Sequence, residues 1–150
     1  MLLWSLFAVV IMAVDQLTKF FVVKYISASD IITVIPGLFE FVYVKNKGAA
    51  FNILSGRLGF LSLISLLFAA GVIWYMIVKK PQNKMCRVSL MLLFAGALGN
   101  AIDRVFRGFV VDFIKTSFIN FPVFNVADIA ITVGAALFII YLMFFDNKKE

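Results

Sequence analysis

Four apolar runs, each close to the length needed to cross a bilayer, decide what this chain can become. They cover residues 2–23, 58–78, 88–106 and 123–145, and a helix needs about 20 such residues to span the hydrocarbon core. Backbone in that core must satisfy its polar groups internally, which favours helices. A hydrophobic content of 63% and a mean hydropathy of +1.04 are far above those of soluble domains. The expected fold class is membrane all-α: a four-transmembrane-helix bundle. No internal repeat, low-complexity segment or linker divides the chain, so residues 1–150 are expected to form a single domain.

The segment between the first two runs has a different character. Phe39-Glu40-Phe41-Val42-Tyr43-Val44-Lys45 is aromatic and β-branched, which suits a short strand. Pro36-Gly37 and Asn46-Lys47-Gly48 mark turns on either side. Residues 31–54 are therefore expected to form a small extracytoplasmic β platform on the membrane surface.

Basic residues set the orientation. Lys79, Lys80, Lys84 and Arg87 fill the loop between the second and third runs, and Lys148 and Lys149 lie in the tail. Two spans separate that loop from the tail, so both fall on one side, which the positive-inside rule makes cytoplasmic. The N-terminus then lies there too. Lys24, Lys45, Lys47 and Arg57 in the outer loop reduce the contrast. The net charge of +6 reads as this topology signal rather than as affinity for nucleic acid. A cleaved signal peptide is the competing reading of the first run. It lacks a basic n-region and has Asp15 and Lys19 in or just after its apolar core. No lipobox-type cysteine follows that run, so the chain is not expected to be a lipoprotein itself.

The chain has no histidine and one cysteine, Cys86. Ser/His and Cys/His catalysis and histidine zinc sites are thereby excluded. No phosphate loop or metal-ligand cluster is present, and no metal or cofactor is expected. Ionisable residues inside the apolar runs are the remaining lead, because a carboxylate at membrane depth is expensive. With the topology above, Asp15, Lys19, Asn100, Asp103, Arg104, Asn125 and Asp128 all fall near the outer surface.

Asp112 is expected in a short outer loop opening at Gly108, among apolar neighbours that raise a carboxyl pKa. Asp128 follows Pro122 near a helix start, where the dipole favours a carboxylate. If close, the two would share one proton and titrate as a pair. One could then activate water while the other protonates a carbonyl oxygen. The blander reading makes Asp112 an exposed loop residue and Asp128 a helix cap or a partner of Arg104. Asn46, Asn100 and Asn125 could orient carboxylates or substrate, or satisfy turns and helix contacts. Gly96 and Gly99, with Ala95 and Ala97, suit close helix packing. Asp15 and Lys19, at i and i+4, read as a structural pair. Arg104 could tie spans together or meet a lipid phosphate. A Ser/Lys dyad is the rival chemistry, with Lys19 or Lys115 serving Ser55, Ser62 or Ser117. A transporter or channel subunit is the rival class, but span two offers only Ser62, Ser65 and Gly71 to line a path. A structural assembly factor would leave the aspartates unexplained.

The motifs Asp15-Gln16-Leu17-Thr18-Lys19, Asn46-Lys47-Gly48-Ala49-Ala50-Phe51, Gly96-Ala97-Leu98-Gly99-Asn100-Ala101-Ile102-Asp103-Arg104, Val110-Val111-Asp112-Phe113 and Phe124-Asn125-Val126-Ala127-Asp128 together resemble the bacterial lipoprotein signal peptidase (signal peptidase II) family. Their order and the chain length also fit. The resemblance implies an inner-membrane aspartic endopeptidase acting on prolipoproteins that carry a diacylglyceryl cysteine. Cleavage is expected on the N-terminal side of that cysteine, with membrane lipid as the surroundings and globomycin as an inhibitor of the same cleft. It places the catalytic pair at Asp112 and Asp128 and gives Asp103 a supporting position. It also places Asn46, Gly48, Asn100, Arg104 and Asn125 around the site. One chain is expected to act as a monomer. Two departures are Ala95, where a second glycine is usual, and Asn52, where serine is common.

Overall fold

The computed structural model describes residues 2–48 and 53–145. Ala49, Ala50, Phe51, Asn52, Lys148 and Lys149 lie outside the described residues. Seven elements follow in order: α1 (Leu2–Tyr25), β1 (Ile32–Ile35), β2 (Phe39–Asn46), α2 (Leu58–Lys79), α3 (Lys84–Arg107), β3 (Val110–Thr116) and α4 (Val126–Phe144). All four helices are long and apolar enough to cross a membrane. The expected four-helix membrane bundle with a small β platform is the observed fold.

Helix α3 is the hub and packs against α1, α2 and α4. Small residues permit this. A Cβ on Gly96 would lie 2.4 Å from the Ala127 carbonyl oxygen, and one on Gly99 would lie 2.7 Å from an Asp15 carboxylate oxygen. Close backbone approach of this kind is how helices associate where apolar burial gives no drive. Outward faces of the helices carry Leu3, Phe21, Phe60, Leu67, Trp74 and Ile139, all exposed, which suits contact with lipid.

Two apolar clusters flank the middle of the bundle. One joins Ala8, Val72, Met76, Leu90, Met91 and Tyr141. The other joins Val22, near the end of α1, and Ile26, just past it, to Val111 and Phe113 of β3. Asp15, Lys19, Asn100 and Asp103 are all buried, and they fall between these clusters along the chain.

The three strands form an antiparallel sheet in the order β1-β2-β3. Its third strand corrects an expectation: Asp112 is in β3, not in a loop. Val110, Val111, Phe113 and Ile114 have the side chains of a strand, and the aspartate among them disguises it. Gly108 caps α3 with φ of 74°, a left-handed conformation open to glycine. The chain thus reverses directly from α3 into β3. After β3, Phe124 exchanges backbone hydrogen bonds with Ile114 as an isolated bridge. Because that pairing occupies residues just past Pro122, α4 begins at Val126 rather than at the start of its apolar run.

Candidate active site

Asp112 is held from two sides. Asn46 pairs with Val110 across β2 and β3, so Asn46 and Asp112 lie on one face as diagonal neighbours. The Asn46 Nδ2 donates to Asp112 Oδ2 at 2.8 Å, and Asn125 Nδ2 donates to Asp112 Oδ1 at 2.6 Å. Asp112 is 2% exposed. Burial drives its pKa from the usual 3.8 to about 6, with the nearby Asp128 charge adding to the rise and the two amides and Lys19 opposing it.

Asp128 is in the first turn of α4. Asn125 is the N-cap: its Oδ1 accepts from the Asp128 backbone N–H at 2.9 Å, and Asp128 Oδ2 accepts from the Asn125 N–H at 3.2 Å. This reciprocal capping box satisfies two donors that a helix start leaves free. The other Asp128 oxygen accepts from Asn100 Nδ2 at 2.8 Å. The helix-cap reading of Asp128 is therefore correct, and the cap also fixes the carboxylate in place.

Asn125 Nδ2 also reaches Asn100 Oδ1 at 3.2 Å. A continuous amide bridge, Asn125 to Asn100, thus links the two carboxylates. Every asparagine here has its orientation fixed by a donor on its oxygen. Gly48 N–H donates to Asn46 Oδ1 at 2.8 Å, the Asp128 N–H occupies Asn125 Oδ1, and Lys19 Nζ donates to Asn100 Oδ1 at 3.1 Å. An amide oxygen can only accept, so each amide nitrogen turns toward a carboxylate.

Beneath this layer lies a buried ionic cluster. Lys19 Nζ meets Asp15 Oδ2 at 2.9 Å and Asp103 Oδ2 at 3.0 Å, with all three side chains essentially inaccessible. Asp15 Oδ1 accepts from the Ala127 N–H at 2.9 Å, one residue before Asp128. Asp103 Oδ2 accepts from the Val111 N–H at 3.1 Å, one residue before Asp112. The cluster therefore supports the backbone beside each catalytic candidate. A buried ion pair is tolerated when its remaining groups are hydrogen-bonded, as here.

Two members of this cluster escape the sequence reading. Gln16 Nε2 donates to Asp15, to the Gly99 carbonyl and, at 3.4 Å, to Asp103. Arg107 lies 3.5 Å from Asp103; its i, i+4 spacing was the available signal. Arg104 donates to the Gly48 carbonyl at 3.2 Å, tying α3 to the turn after β2. Among the described residues it forms no ion pair with Asp128.

Among the described residues, both lysines of the rival Ser/Lys chemistry and one of its serines are engaged elsewhere. All three N–H groups of Lys19 are taken by Asp15, Asn100 and Asp103. Lys115 pairs with Glu40 at 2.9 Å, and Ser62 bonds the Leu58 carbonyl one turn back. The polar residues of this network cluster where α1, α3, α4 and the sheet meet, and among the described residues α2 contributes none of its bonds.

A family described as "Signal peptidase (SPase) II" matches residues 7–144. A "Lipoprotein signal peptidase" of Clostridium acetobutylicum is 41% identical over 140 residues, covering 91% of each chain. One from Lactobacillus johnsonii is 40% identical over 97% of this chain and 95% of its own. The fold is similar to a solved "bacterial membrane enzyme" with TM-score 0.91 and 40% identity, over 98% of this chain and 92% of that one. A second structure with that description has TM-score 0.86 and 38% identity, over 96% and 94% of the two chains.

Proposed function

The chain belongs to the signal peptidase II family, and we propose that it removes signal peptides from diacylglyceryl-modified prolipoproteins by an aspartic mechanism at Asp112 and Asp128. It is a multi-pass membrane protease. The observation that carries the mechanism is the Asn100–Asn125 amide bridge, which holds both carboxylates in one network.

The pair shares one proton. One carboxylate takes a proton from water, whose oxygen forms a bond to the scissile carbonyl carbon. The protonated partner gives its proton to the carbonyl oxygen, so the carbon becomes a tetrahedral diol. A diol hydroxyl then returns its proton, the C–N bond breaks, and the amine leaves with a proton from the dyad. Burial raises the Asp112 pKa to about 6, which brings its proton exchange closer to neutrality. Neutral amides steady both carboxylates without neutralising them.

The cut falls on the N-terminal side of the lipidated cysteine. A lipid-anchored cysteine fixes that bond near the membrane surface, so a dyad at the same depth converts a search into a positioned encounter. The dyad lies where the helices give way to the sheet, which supports an active site near the extracytoplasmic face of the bacterial cytoplasmic membrane, with both termini inside. A globomycin-type inhibitor would occupy this cleft. Both carboxylates and their amides come from one chain, which supports action as a monomer.

Purified protein should release signal peptide from a diacylglyceryl-modified prolipoprotein and not from its unlipidated form. Failure of the folded protein to cleave, where a relative cleaves under the same conditions, would overturn the assignment.

A further inference from the structure

We propose that Lys19 is a positioning residue for catalysis, acting through Asn100 on Asp128, and is not merely an ion-pair anchor between α1 and α3. The inference rests on the function proposed above.

An ammonium has three N–H donors and no acceptor. The Asp15 contact stays within α1, and the Asp103 contact alone already ties α1 to α3. The third donor goes to Asn100 Oδ1 at 3.1 Å, and the Nδ2 of that same amide donates to Asp128 Oδ1 at 2.8 Å. Reversing the amide would set its oxygen against a carboxylate oxygen and its NH2 against an ammonium. Both contacts would be repulsive. Lys19, with the Asn125 Nδ2 on the same oxygen, therefore sets which end of Asn100 faces Asp128, and of the two it is the charged donor. It is wholly inaccessible to solvent, so bulk water does not compete with it for Asn100.

Its charge also reaches the dyad. Lys19 lowers the pKa of Asp112 against the larger effect of burial. The groups around Lys19 are Asp15 on α1, Asn100 and Asp103 on α3, with Arg107 behind Asp103, Asp128 on α4 through the amide, and Asp112 on β3. A buried cation beside a proton-sharing pair favours its ionised forms.

The test compares kcat, KM and pH profile on a diacylglyceryl-modified prolipoprotein. The variants are Lys19→Met, the charge-balanced Asp15→Asn/Lys19→Met, Asp15→Asn, Asn100→Ala and Lys19→Met/Asn100→Ala, with thermal unfolding measured on each. Both Lys19→Met proteins should lose on the order of 10²-fold in kcat, the effect of a small misplacement. KM should stay within about twofold. The alkaline edge of the profile should move to higher pH. With each variant at its own pH optimum, the Lys19→Met/Asn100→Ala protein should lose no more kcat than Asn100→Ala alone, because the positioning role passes through Asn100 and the direct effect of the charge moves only the profile. Wild-type kcat with an unmoved profile in the charge-balanced variant, or additive losses in the double variant, would overturn the proposal. Asp128→Asn controls the premise. If it cleaves normally, the relay has no terminus and the proposed mechanism falls with it. If it is inactive while the Lys19 variants are normal, only the role of Lys19 falls.

Discussion

Asn125 donates to Asp112 at 2.6 Å while its own oxygen caps the helix that carries Asp128. One side chain thus performs a folding task and a site-building task at once. The fold cannot place one carboxylate without constraining the other.

Substituting either carboxylate should stop the chemistry without unfolding the protein. Asp112→Asn and Asp128→Asn are each expected to reduce cleavage by at least ~10³-fold, within the range for loss of a general acid or base. Membrane insertion and the helical circular dichroism should persist. Substantial turnover by a folded Asp112→Asn protein would remove Asp112 from the mechanism.

The two tasks of Asn125 can be separated. Serine caps a helix about as well as asparagine, but is too short to reach both Asp128 N–H and Asp112. Asn125→Ser should unfold within a few degrees of wild type and yet lose most of its kcat. Asn125→Ala should lose activity and also roughly 1 kcal/mol of stability from the missing cap. Equal activity in the serine variant and wild type would sever the amide bridge from catalysis.

Stability should depend on pH through Asp112. Its folded pKa of about 6 lies above the usual 3.8, so the folded protein holds this proton more tightly than the unfolded chain. The associated stability is fully present below pH ~4 and is lost as pH rises through ~6. Asp112→Asn removes that loss. Its stability relative to wild type should therefore rise by on the order of 2–3 kcal/mol between pH 4 and pH 7, on top of a pH-independent cost from setting its NH2 against the amide donor of Asn46 or Asn125. Denaturation in detergent across that range measures it.

Gly96 should tolerate no side chain. The nearest obstacle to a Cβ is backbone, the Ala127 carbonyl oxygen at 2.4 Å. Gly96→Ala is therefore expected to push α4 away from α3, lowering stability by about 1–3 kcal/mol. Activity should fall further than stability, since Asp128 follows Ala127 directly. Unchanged melting and turnover would contradict the tight α3–α4 contact.

Much of this was legible in the sequence, for identifiable reasons. Span length and hydropathy are set by bilayer thickness, so α1 to α4 could be read directly. Asp128 was visible because a carboxylate in an apolar run stands out. Asp112 was read as a candidate, but its strand was hidden: strand propensity is a weak signal, and an aspartate at the centre weakens it further. Asn100 could be read as able to orient a carboxylate, but its link from Lys19 to Asp128 was beyond reach, because it depends on α1, α3 and α4 meeting. Arg107 was overlooked although its spacing from Asp103 matched a helical pair. Asn46 was read equally well as a turn residue, and it is both: its oxygen closes the turn at Gly48 while its nitrogen holds Asp112.

Lys19 and Asn46 belong to the earlier half of the chain, and Asn100, Asp112, Asn125 and Asp128 to the later half. A ribosome therefore completes the proposed dyad only when it reaches α4. On the proposed mechanism, a nascent chain that stops short of the Asn125 cap lacks both Asp128 and one of the amides that hold Asp112, so it carries no working site.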